Sequence, residues 1–410
     1  QSKPRYHARD VAVQRARLLG IPVVLGSATP SLESYCLAKE GKEGTESGSR
    51  LLILSERQGG GALPPVTVID MRREIQERKR LHHLSVPLLD ATAKAVDGGG
   101  QAILLLNRRG FATAIACRRC GFAVKCPHCD ITLTYHKGDG RARCHLCDHS
   151  LSPPAACPEC GMGGLKYLGF GTERVEEELL KALPSLRVAR MDSDTTRGRL
   201  SHQRILARFG SGEADVLLGT QMIAKGLDIP RVTLVGVVSA DVALNLPDFR
   251  ASERTFQLLA QVAGRAGRGP LGGRVIVQTF HPTHPAILAA ATHDYPLFSK
   301  AELAQRKALG YPPYGRLARL VVQAREEEAA TERAAAVGEA LRRVAGQDVE
   351  VLGPAPCPIS KIERWHRVHL LIKAHSAAAL YRVLGASEKA LTGGGRSLRI
   401  ALDIDPTDML

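Results

Sequence analysis

Eight of the ten cysteines occur as four Cys-x-x-Cys pairs within one short stretch of the chain. The pairs are Cys117/Cys120, Cys126/Cys129, Cys144/Cys147 and Cys157/Cys160. Zinc(II) prefers four thiolates in a tetrahedron, and the turn of a Cys-x-x-Cys pair directs two sulfurs at one ion. Disulfides occur mainly in secreted proteins, and we expect no secretion signal in this protein. Metal binding is therefore favoured over disulfides. The cysteines therefore predict two closed, structural zinc sites of four thiolates each.

Four pairs can be joined into two sites in three ways. We favour a nested arrangement, because the 14 residues between the two middle pairs are close to zinc-ribbon spacing. The inner site then uses Cys126, Cys129, Cys144 and Cys147, and the outer site uses Cys117, Cys120, Cys157 and Cys160. His128, His136 and His145 would compete as ligands, but eight cysteines already fill two sites. Redox dithiols are the alternative interpretation of the same pairs.

A second group of functional residues lies in the segment QLLAQVAGRAGR, residues 257–268. On a helix, Gln261, Arg265 and Arg268 would project from one face, since they stand at i, i+4 and i+7. Two guanidinium groups on one face suit the charge that develops on a transferred phosphoryl group. Gly264 and Gly267 weaken a helix, which indicates close approach of backbone or ligand. A surface helix with arginines near its carboxyl end is the alternative.

Two polar loops follow predicted strands. One is GTQMIAKGLDIP, residues 219–230, and the other is GSATPS, residues 26–31. Ligands of open α/β sheets bind at the carboxyl ends of the strands, where we expect Thr220, Gln221, Lys225 and Asp228. The same residue types are ordinary in loops, so neither loop alone establishes a site.

Short apolar runs alternate with helical patterns, which is typical of a doubly wound parallel α/β sheet. Strands are predicted at residues 21–25, 67–69, 102–106, 187–191, 215–218, 233–238 and 274–279. Helices are predicted at residues 8–19, 86–96, 172–183, 201–209 and 252–263. The cysteine cluster interrupts this alternation after 102–106 and is predicted to be an insertion.

From about Leu317 the pattern changes. The predicted order is strand 318–323, helix 326–344, strand 350–352, strand 368–372, helix 377–391 and strand 398–403. Strand–helix–strand–strand–helix–strand is the order of a ferredoxin-like unit, so we expect a separate small α+β domain.

The composition limits the classes of protein that this chain represents. Its 410 residues favour roughly two to three domains. With 44% apolar and 24% charged residues, a disordered chain is disfavoured. The longest apolar stretch, 232–246, is interrupted by Asp241 and is too short for a membrane span. A net charge of +15, lowered to about +11 by two zinc–tetrathiolate units, indicates a polyanionic partner such as nucleic acid.

Taken together and in this order, the motifs resemble those of superfamily-two helicases. Residues 26–31 resemble motif III, residues 215–228 motif V, and residues 261–268 motif VI. With the eight-cysteine insert between 108–111 and 169–173, the chain resembles the PriA family of primosomal replication-restart helicases over essentially its whole length. Further matches to that family are residues 5–10, 219–222, 248–250, 253–254 and 402–406.

The resemblance implies an ATP-dependent 3′-to-5′ DNA helicase that recognises forks and assembles the primosome in the cytoplasm. Its cofactors would be two zinc ions, ATP and magnesium. Its partners would be forked DNA, junctions of single-stranded and duplex DNA, primosome proteins and single-stranded-DNA-binding protein, without a membrane. The zinc module would support strand separation and contacts with the primosome.

The resemblance also assigns roles to single residues. Arg265 would touch the γ-phosphate and Arg268 would act as an arginine finger, while Gly226, Asp228 and Gln261 would lie on the nucleotide side. Thr220 would lie nearer the DNA backbone. Ser27 and Thr29 would couple the nucleotide state to DNA.

By the same resemblance, the chain divides into four parts. They are a remnant of the first motor lobe (1–84), the second lobe (85–316), a zinc insertion within it (114–166) and a C-terminal domain like ribosomal protein S10 (317–410).

The sequence departs from the family in two respects. The phosphate loop G-x-x-x-x-G-K-[ST] and the Asp-Glu-Glu-His magnesium motif are missing, and family order places both before Arg5. Leu227 stands where the family more often has His. We therefore expect no DNA-stimulated ATPase activity from this chain alone and poor order up to about Ser85. A non-catalytic, zinc-dependent DNA-binding or primosome-assembly protein is the alternative function.

Overall fold

The computed structural model divides into two compact units, residues 1–54 and 55–410, which are described separately. The residues that it describes are 6–40, 49–54, 62–78, 82–106, 114–116, 124, 127, 133–136, 140–143, 149–159, 161, 166–168, 171–192, 195, 201–220, 223, 229–244, 248–267, 269, 271–392 and 397–409.

The first unit contains two helices, α1 (Ala8–Leu19) and α2 (Leu32–Glu40). His7 caps α1 by accepting a hydrogen bond from the backbone of Arg9, and Gly20 ends it in the left-handed conformation with φ 64°. The strand predicted at 21–25 is wrong: this stretch forms no strand, and Val24 is 87% exposed. The physical reason is that residues 6–40 and 49–54 offer no second strand to satisfy its backbone.

The second unit begins with an α/β lobe. Its first elements are β1 (Val66–Asp70), α3 (Met71–Arg78), α4 (Val86–Asp97) and β2 (Gln101–Leu106). Five short strands follow: β3 (Ala114–Ala116), β4 (Thr134–His136), β5 (Arg141–Arg143), β6 (Ser150–Leu151) and β7 (Lys166–Leu168). The lobe then continues through α5 (Thr172–Ala182), β8 (Val188–Met191), α6 (Ser201–Gly210), β9 (Val216–Gly219), β10 (Val232–Ser239), α7 (Asp241–Leu244), α8 (Ala251–Ala263), β11 (Arg274–Thr279), α9 (Pro285–Ala291) and α10 (Tyr295–Leu309).

The predicted doubly wound sheet is confirmed. Six strands pair in parallel in the order β1-β11-β10-β2-β9-β8. Leu88 of α4 and Leu179 of α5 are fully buried against strand residues such as Leu104 and Leu218. Helices cover this sheet, which explains why its strands are almost continuously apolar.

The strand predicted at 67–69 belongs to this sheet. It was predicted to lie in the remnant of the first lobe, residues 1–84. Instead, Val66–Asp70 pairs with β11, with Val68 opposite Val277. A buried parallel partner places the strand in the second unit, and periodicity cannot show which sheet a strand joins.

The five short strands form a separate antiparallel sheet in the order β6-β5-β4-β3-β7. It leaves the lobe after β2 and returns before α5, where the insertion is predicted.

The C-terminal domain is an α+β unit of the predicted ferredoxin-like order. It consists of β12 (Arg316–Ala324), α11 (Glu327–Val344), β13 (Val349–Ile362), β14 (Trp365–Ala374), α12 (Ala377–Ala386), α13 (Glu388–Leu391) and β15 (Leu398–Ile404). The strands lie in the order β13-β14-β12-β15, and each neighbouring pair is antiparallel. Leu320 and Leu370 pack against Val337, Leu341 and Val383 of the helices. Among the helices of the described residues, none is both long and apolar enough to cross a bilayer.

Candidate nucleotide and zinc sites

The segment after α8 forms a tight turn at residues 264–267, which we call the arginine turn. Gly264 caps the helix, and the amides of Arg265 and Ala266 donate to the carbonyls three residues earlier. The prediction that Gln261, Arg265 and Arg268 share one helix face is therefore wrong, because α8 ends at Ala263. Gln261 is exposed on the last turn of α8, Arg265 is partly exposed in the arginine turn, and Arg268 lies outside the described residues.

Glycines allow the backbone to close around this turn. Gly267 has φ 70°, and its amide donates to the carbonyl of Val232 at 3.2 Å. A Cβ on Gly273 would lie 2.2 Å from the nitrogen of Gly267, and one on Gly269 would lie 2.1 Å from the carbonyl oxygen of Pro230. The close approach predicted at Gly264 and Gly267 is confirmed at Gly267 only, since a Cβ on Gly264 would meet backbone oxygens at 3.5 and 3.6 Å, an ordinary contact. No side chain fits at Gly269 or Gly273 without movement.

The arginine turn lies at the amino edge of the six-stranded sheet. Its partner Val232 is the first residue of β10, in register with Gln101 of β2. Pro230, the last residue of the polar loop 219–230, touches Gly269. The end of this loop therefore lies against the chain just after the motif VI match. Gly226 and Asp228, which belong to this loop, lie outside the described residues.

Thr220 lies at the opposite, carboxyl edge of the sheet. It follows β9, and its amide donates to the carbonyl of Met191 at 3.4 Å. Gly219 of β9 lies opposite Leu105 of β2, which lies opposite Val237 of β10. Val237 is five residues beyond Val232 on β10, so the two edges of the sheet are about 17 Å apart along the strand. Gln221 and Lys225, expected at the same edge, lie outside the described residues.

Ser27 and Thr29 form a local turn in the first unit. The Ser27 hydroxyl accepts a hydrogen bond from the backbone amide of Thr29 at 3.1 Å. This geometry is typical of a serine turn. It keeps the Ser27 side chain exposed.

Sequence reasoning missed a polar cluster at the carboxyl edge. The buried carboxylate of Asp241 accepts from the Thr279 hydroxyl, the backbone amide of Phe280 and Nδ1 of His281, at 2.8 to 3.1 Å. Burial, together with nearby His281, lowers the pKa of His284. These hydrogen bonds join Asp241, just after β10, to the end of β11. Polar residues directly after both predicted strands were the signal available in the sequence.

The strands around the inner cysteine pairs form two adjacent hairpins. The Leu133 amide donates to the Val124 carbonyl at 2.9 Å, across the segment that contains Cys126 and Cys129. Ala142 pairs with Leu151 across the segment that contains Cys144 and Cys147. The pairing of β4 with β5 sets the bases of these hairpins side by side.

The outer pairs are flanked by paired strands as well. Ala116, just before Cys117, is opposite Lys166 of β7. Cys157 is 2% exposed, and its carbonyl accepts from the amide of Gly161, which has φ 68°. The other ligand candidates lie outside the described residues: Cys117, Cys120, Cys126, Cys129, Cys144, Cys147 and Cys160, with the competing His128 and His145. Within the part of the chain that is described, no group of three or more metal-ligating side chains comes together.

Three family models match the chain. Residues 168–270 match the helicase conserved C-terminal domain, and residues 307–407 match the primosomal protein N C-terminal domain. Residues 126–151 match the PriA DNA helicase Cys-rich region domain, a zinc ribbon.

Curated relatives match over nearly the whole chain. Replication restart protein PriA of Bacillus subtilis is 44% identical, and the match covers 100% of this chain and 50% of that protein. The PriA of Synechocystis is 43% identical, covering 99% of this chain and 49% of that protein. This chain thus spans about half the length of these relatives.

Solved helicase structures are more distant. Saccharomyces cerevisiae Dbp5 bound to RNA and ADP BeF3 is 13% identical, covers 60% of this chain and 45% of its own, and has a TM-score of 0.25. The C-terminal domain of the DEAD-box protein Dbp5 is 15% identical, covers 53% of this chain and 89% of its own, and has a TM-score of 0.24. At these TM-scores, neither likeness supports an argument about this chain.

Proposed function

Since the chain belongs to the family of replication restart protein PriA over the half of those relatives that it spans, we propose that it supplies the second motor lobe of an ATP-dependent 3′-to-5′ DNA helicase. The full-length protein would recognise forked DNA in the cytoplasm and assemble the primosome there, with primosome proteins and single-stranded-DNA-binding protein as partners. The proposed second lobe spans 85–316 together with β1, followed by the C-terminal domain at 317–410.

One observation carries the motor proposal: the arginine turn bonds to Val232 at the start of β10, and Gly269, just after the turn, packs on Pro230 at the end of the loop 219–230. Arg265 is partly exposed there, so its guanidinium can meet the γ-phosphate of a nucleotide bound at that edge. Arg268 would follow as the finger, with Gly226, Asp228 and Gln261 nearby. Arginine at this position neutralises charge as the phosphoryl group departs.

ATP hydrolysis also needs a phosphate-binding lysine and magnesium ligands. We propose that they come from the part of the full-length protein that lies outside this sequence. Bound magnesium would neutralise phosphate charge, and Arg265 of this chain would orient the γ-phosphate. This division of labour explains the expectation that the chain alone hydrolyses no ATP.

The DNA side of the proposal uses the other edge of the sheet. Thr220 lies at the carboxyl edge of the sheet and the arginine turn at the amino edge, and the two edges are about 17 Å apart along the strands. DNA and nucleotide would therefore occupy opposite edges of one rigid sheet. Ser27 and Thr29 of the first unit would couple the two, as the family resemblance implies.

For zinc we propose the nested pairing of two ions. The Cys-rich family model spans 126–151, which contains the four inner cysteines and none of the outer ones. The paired hairpin bases and the buried Cys157 support thiolate sites at both levels. Each ion would hold its hairpins together and contribute directly to folding of the insertion.

Elemental analysis of the purified chain tests the zinc proposal. We expect two zinc ions per chain, falling to one in Cys126→Ser/Cys144→Ser, because the nested pairing places both cysteines in one site. Either other pairing would lose both ions in this variant. Cys36→Ser, at an isolated cysteine outside the cluster, serves as the control and should keep both ions. Fewer than two ions in the unaltered chain would contradict the proposal.

An unwinding assay with the full-length protein tests the motor proposal. We expect ATP-dependent separation of a fork with a 3′ single-stranded arm, and slower separation of its 5′-armed counterpart. Arg265→Ala should abolish unwinding but retain fork binding, whereas Arg204→Ala, at an exposed position on α6, should unwind normally. Fork binding without ATP hydrolysis by the unaltered protein would favour the non-catalytic DNA-binding or primosome-assembly alternative.

A further inference from the structure

The last residues of the chain lie against the start of α8. The Arg250 guanidinium donates to the carbonyl of Pro406 at 3.3 Å, and Arg254 donates to the carbonyl of Thr407. The backbone amide of Met409 donates to the Asp248 carboxylate at 3.3 Å, and Met409 is only 5% exposed. Residues 406–409, which we call the clasp, are thus held at several points along their length.

The side chains beneath the clasp are charged, buried and paired. The Asp248 carboxylate, fully buried, pairs with Arg254 at 2.9 Å. Arg306, 1% exposed, pairs with Glu253 at 2.7 Å and with Glu302 at 3.1 Å. Burial raises the pKa of Glu302, and Arg306 opposes that rise. Because the loss of one partner from such a buried cluster is costly, these charges fix the start of α8 firmly.

An aromatic contact joins the same region to the C-terminal domain. Phe249 stacks on Tyr311 with ring centroids 4.9 Å apart and an interplanar angle of 7°. The ammonium of Lys373, on β14, lies 5.2 Å from the Tyr311 ring. The start of α8 therefore contacts the C-terminal domain through the clasp, and Tyr311 lies between the two.

The other end of α8 leads directly into the arginine turn. The helix has 13 residues, so its ends are about 20 Å apart. A helix packed along this length moves as a rigid body, so a displacement at Arg254 is carried to Gly264 and Arg265. The contacts at both ends make α8 a lever between the C-terminal domain and the nucleotide edge.

We infer that the clasp positions the arginine turn through α8 and thereby couples the placement of the C-terminal domain to ATP turnover. Arg254 is then a positioning residue, since it acts through its contacts with the clasp and Asp248. The coupling to turnover rests on the proposed motor function. The mechanical part, in which the clasp restrains the arginine turn, stands without it.

Hydrogen exchange on the 410-residue chain tests the mechanical part. Deletion of residues 406–410 should speed exchange of the Ala266 and Gly267 amides about tenfold or more. The amides of β2 should keep their rates, which separates lever release from general destabilisation. Arg254→Lys should show a smaller increase, because it retains the charge but not the paired geometry. Arg343→Ala, at an exposed site on α11, is the control and should change neither region.

Turnover by the full-length protein tests the coupling. The same deletion should lower kcat for DNA-stimulated ATP hydrolysis about tenfold to a hundredfold, with KM for ATP and fork affinity changed less than about threefold. Unchanged exchange in the arginine turn, or an unchanged kcat in a deletion variant that melts earlier, would overturn the inference. If the unaltered protein hydrolyses no ATP while the deletion still loosens the turn, the proposed function fails and the lever remains.

Discussion

All six residues of β2 in the parallel sheet are buried, whereas β14 in the antiparallel sheet alternates between buried and partly exposed residues. Helices cover both faces of a parallel sheet of this kind, while the helices of the C-terminal domain pack on one face only. The lobe can therefore expose polar groups mainly at its strand ends, where the candidate residue Thr220 and the arginine turn lie. The C-terminal sheet can carry polar side chains on the strands themselves, such as Arg319, Arg367 and His369.

The largest expected effect comes from truncating neighbouring leucines in each sheet. Leu104→Ala and Leu105→Ala should each lower the free energy of unfolding by about 3 kcal/mol, because both side chains are fully buried. Leu370→Ala should cost about as much, but its partly exposed neighbour Leu371→Ala only about 1 kcal/mol. Urea unfolding of the four variants measures the difference. Equal losses at 370 and 371 would refute the one-faced burial of β14.

A smaller effect is expected from adding a methyl group where backbones touch. Gly269→Ala places Cβ against the carbonyl of Pro230 and should destabilise the chain by about 2 kcal/mol. Gly385→Ala is the matched control on α12, where a Cβ meets nothing within 4 Å. It should be neutral or stabilising by about 0.5 kcal/mol, as alanine is the better helix former. Thermal melting distinguishes the two variants, and equal melting temperatures would contradict the close approach of Gly269 to Pro230.

The smallest effect is a pH dependence that both regions share. Burial lowers the pKa of His83 in the lobe and of His369 in the C-terminal domain to about 4. As the pH falls, each of these histidines therefore takes up a proton in the unfolded chain before it does so in the folded chain. The free energy of unfolding consequently falls as pH drops from about 6.5 to 4. We expect a loss of about 2 kcal/mol or less for each residue over that window.

Replacing each histidine in turn shows which region causes the loss of unfolding free energy at low pH. His83→Gln should flatten the pH dependence of unfolding in the lobe, and His369→Gln should do so in the C-terminal domain. Stability followed by a probe in each region between pH 7 and 4 provides the measurement. A slope that survives both substitutions would show that other groups cause it.

Apolar runs and alternation predicted most strands of both sheets. A strand that is buried on both faces is continuously apolar, and a strand that is buried on one face alternates apolar and polar residues. The strand at 21–25 was predicted wrongly, since an apolar run does not reveal whether a partner strand is present. For the same reason, periodicity could not tell that Val66–Asp70 joins β11.

The candidate site was predicted only in part. Residue types singled out Arg265 as a candidate, and its role stays a prediction. The predicted helical spacing was wrong after Ala263, where Gly264 and the backbone contacts of Gly267 end the helix. The Asp241–His281 contact joins residues 40 positions apart and depends on strand order. Such long-range contacts leave no local pattern. The eight zinc ligands stay a prediction, which the sequence could make because metal coordination requires a fixed local spacing.

The most direct test of the account is the ATP turnover of the full-length protein with Arg265 replaced. If Arg265 meets the departing γ-phosphate, Arg265→Ala should lower kcat for DNA-stimulated hydrolysis by roughly a thousandfold, with ATP affinity nearly unchanged. Arg204→Ala should leave kcat unaltered. A kcat for Arg265→Ala within about twofold of the unaltered protein would contradict the assignment of the arginine turn to the nucleotide.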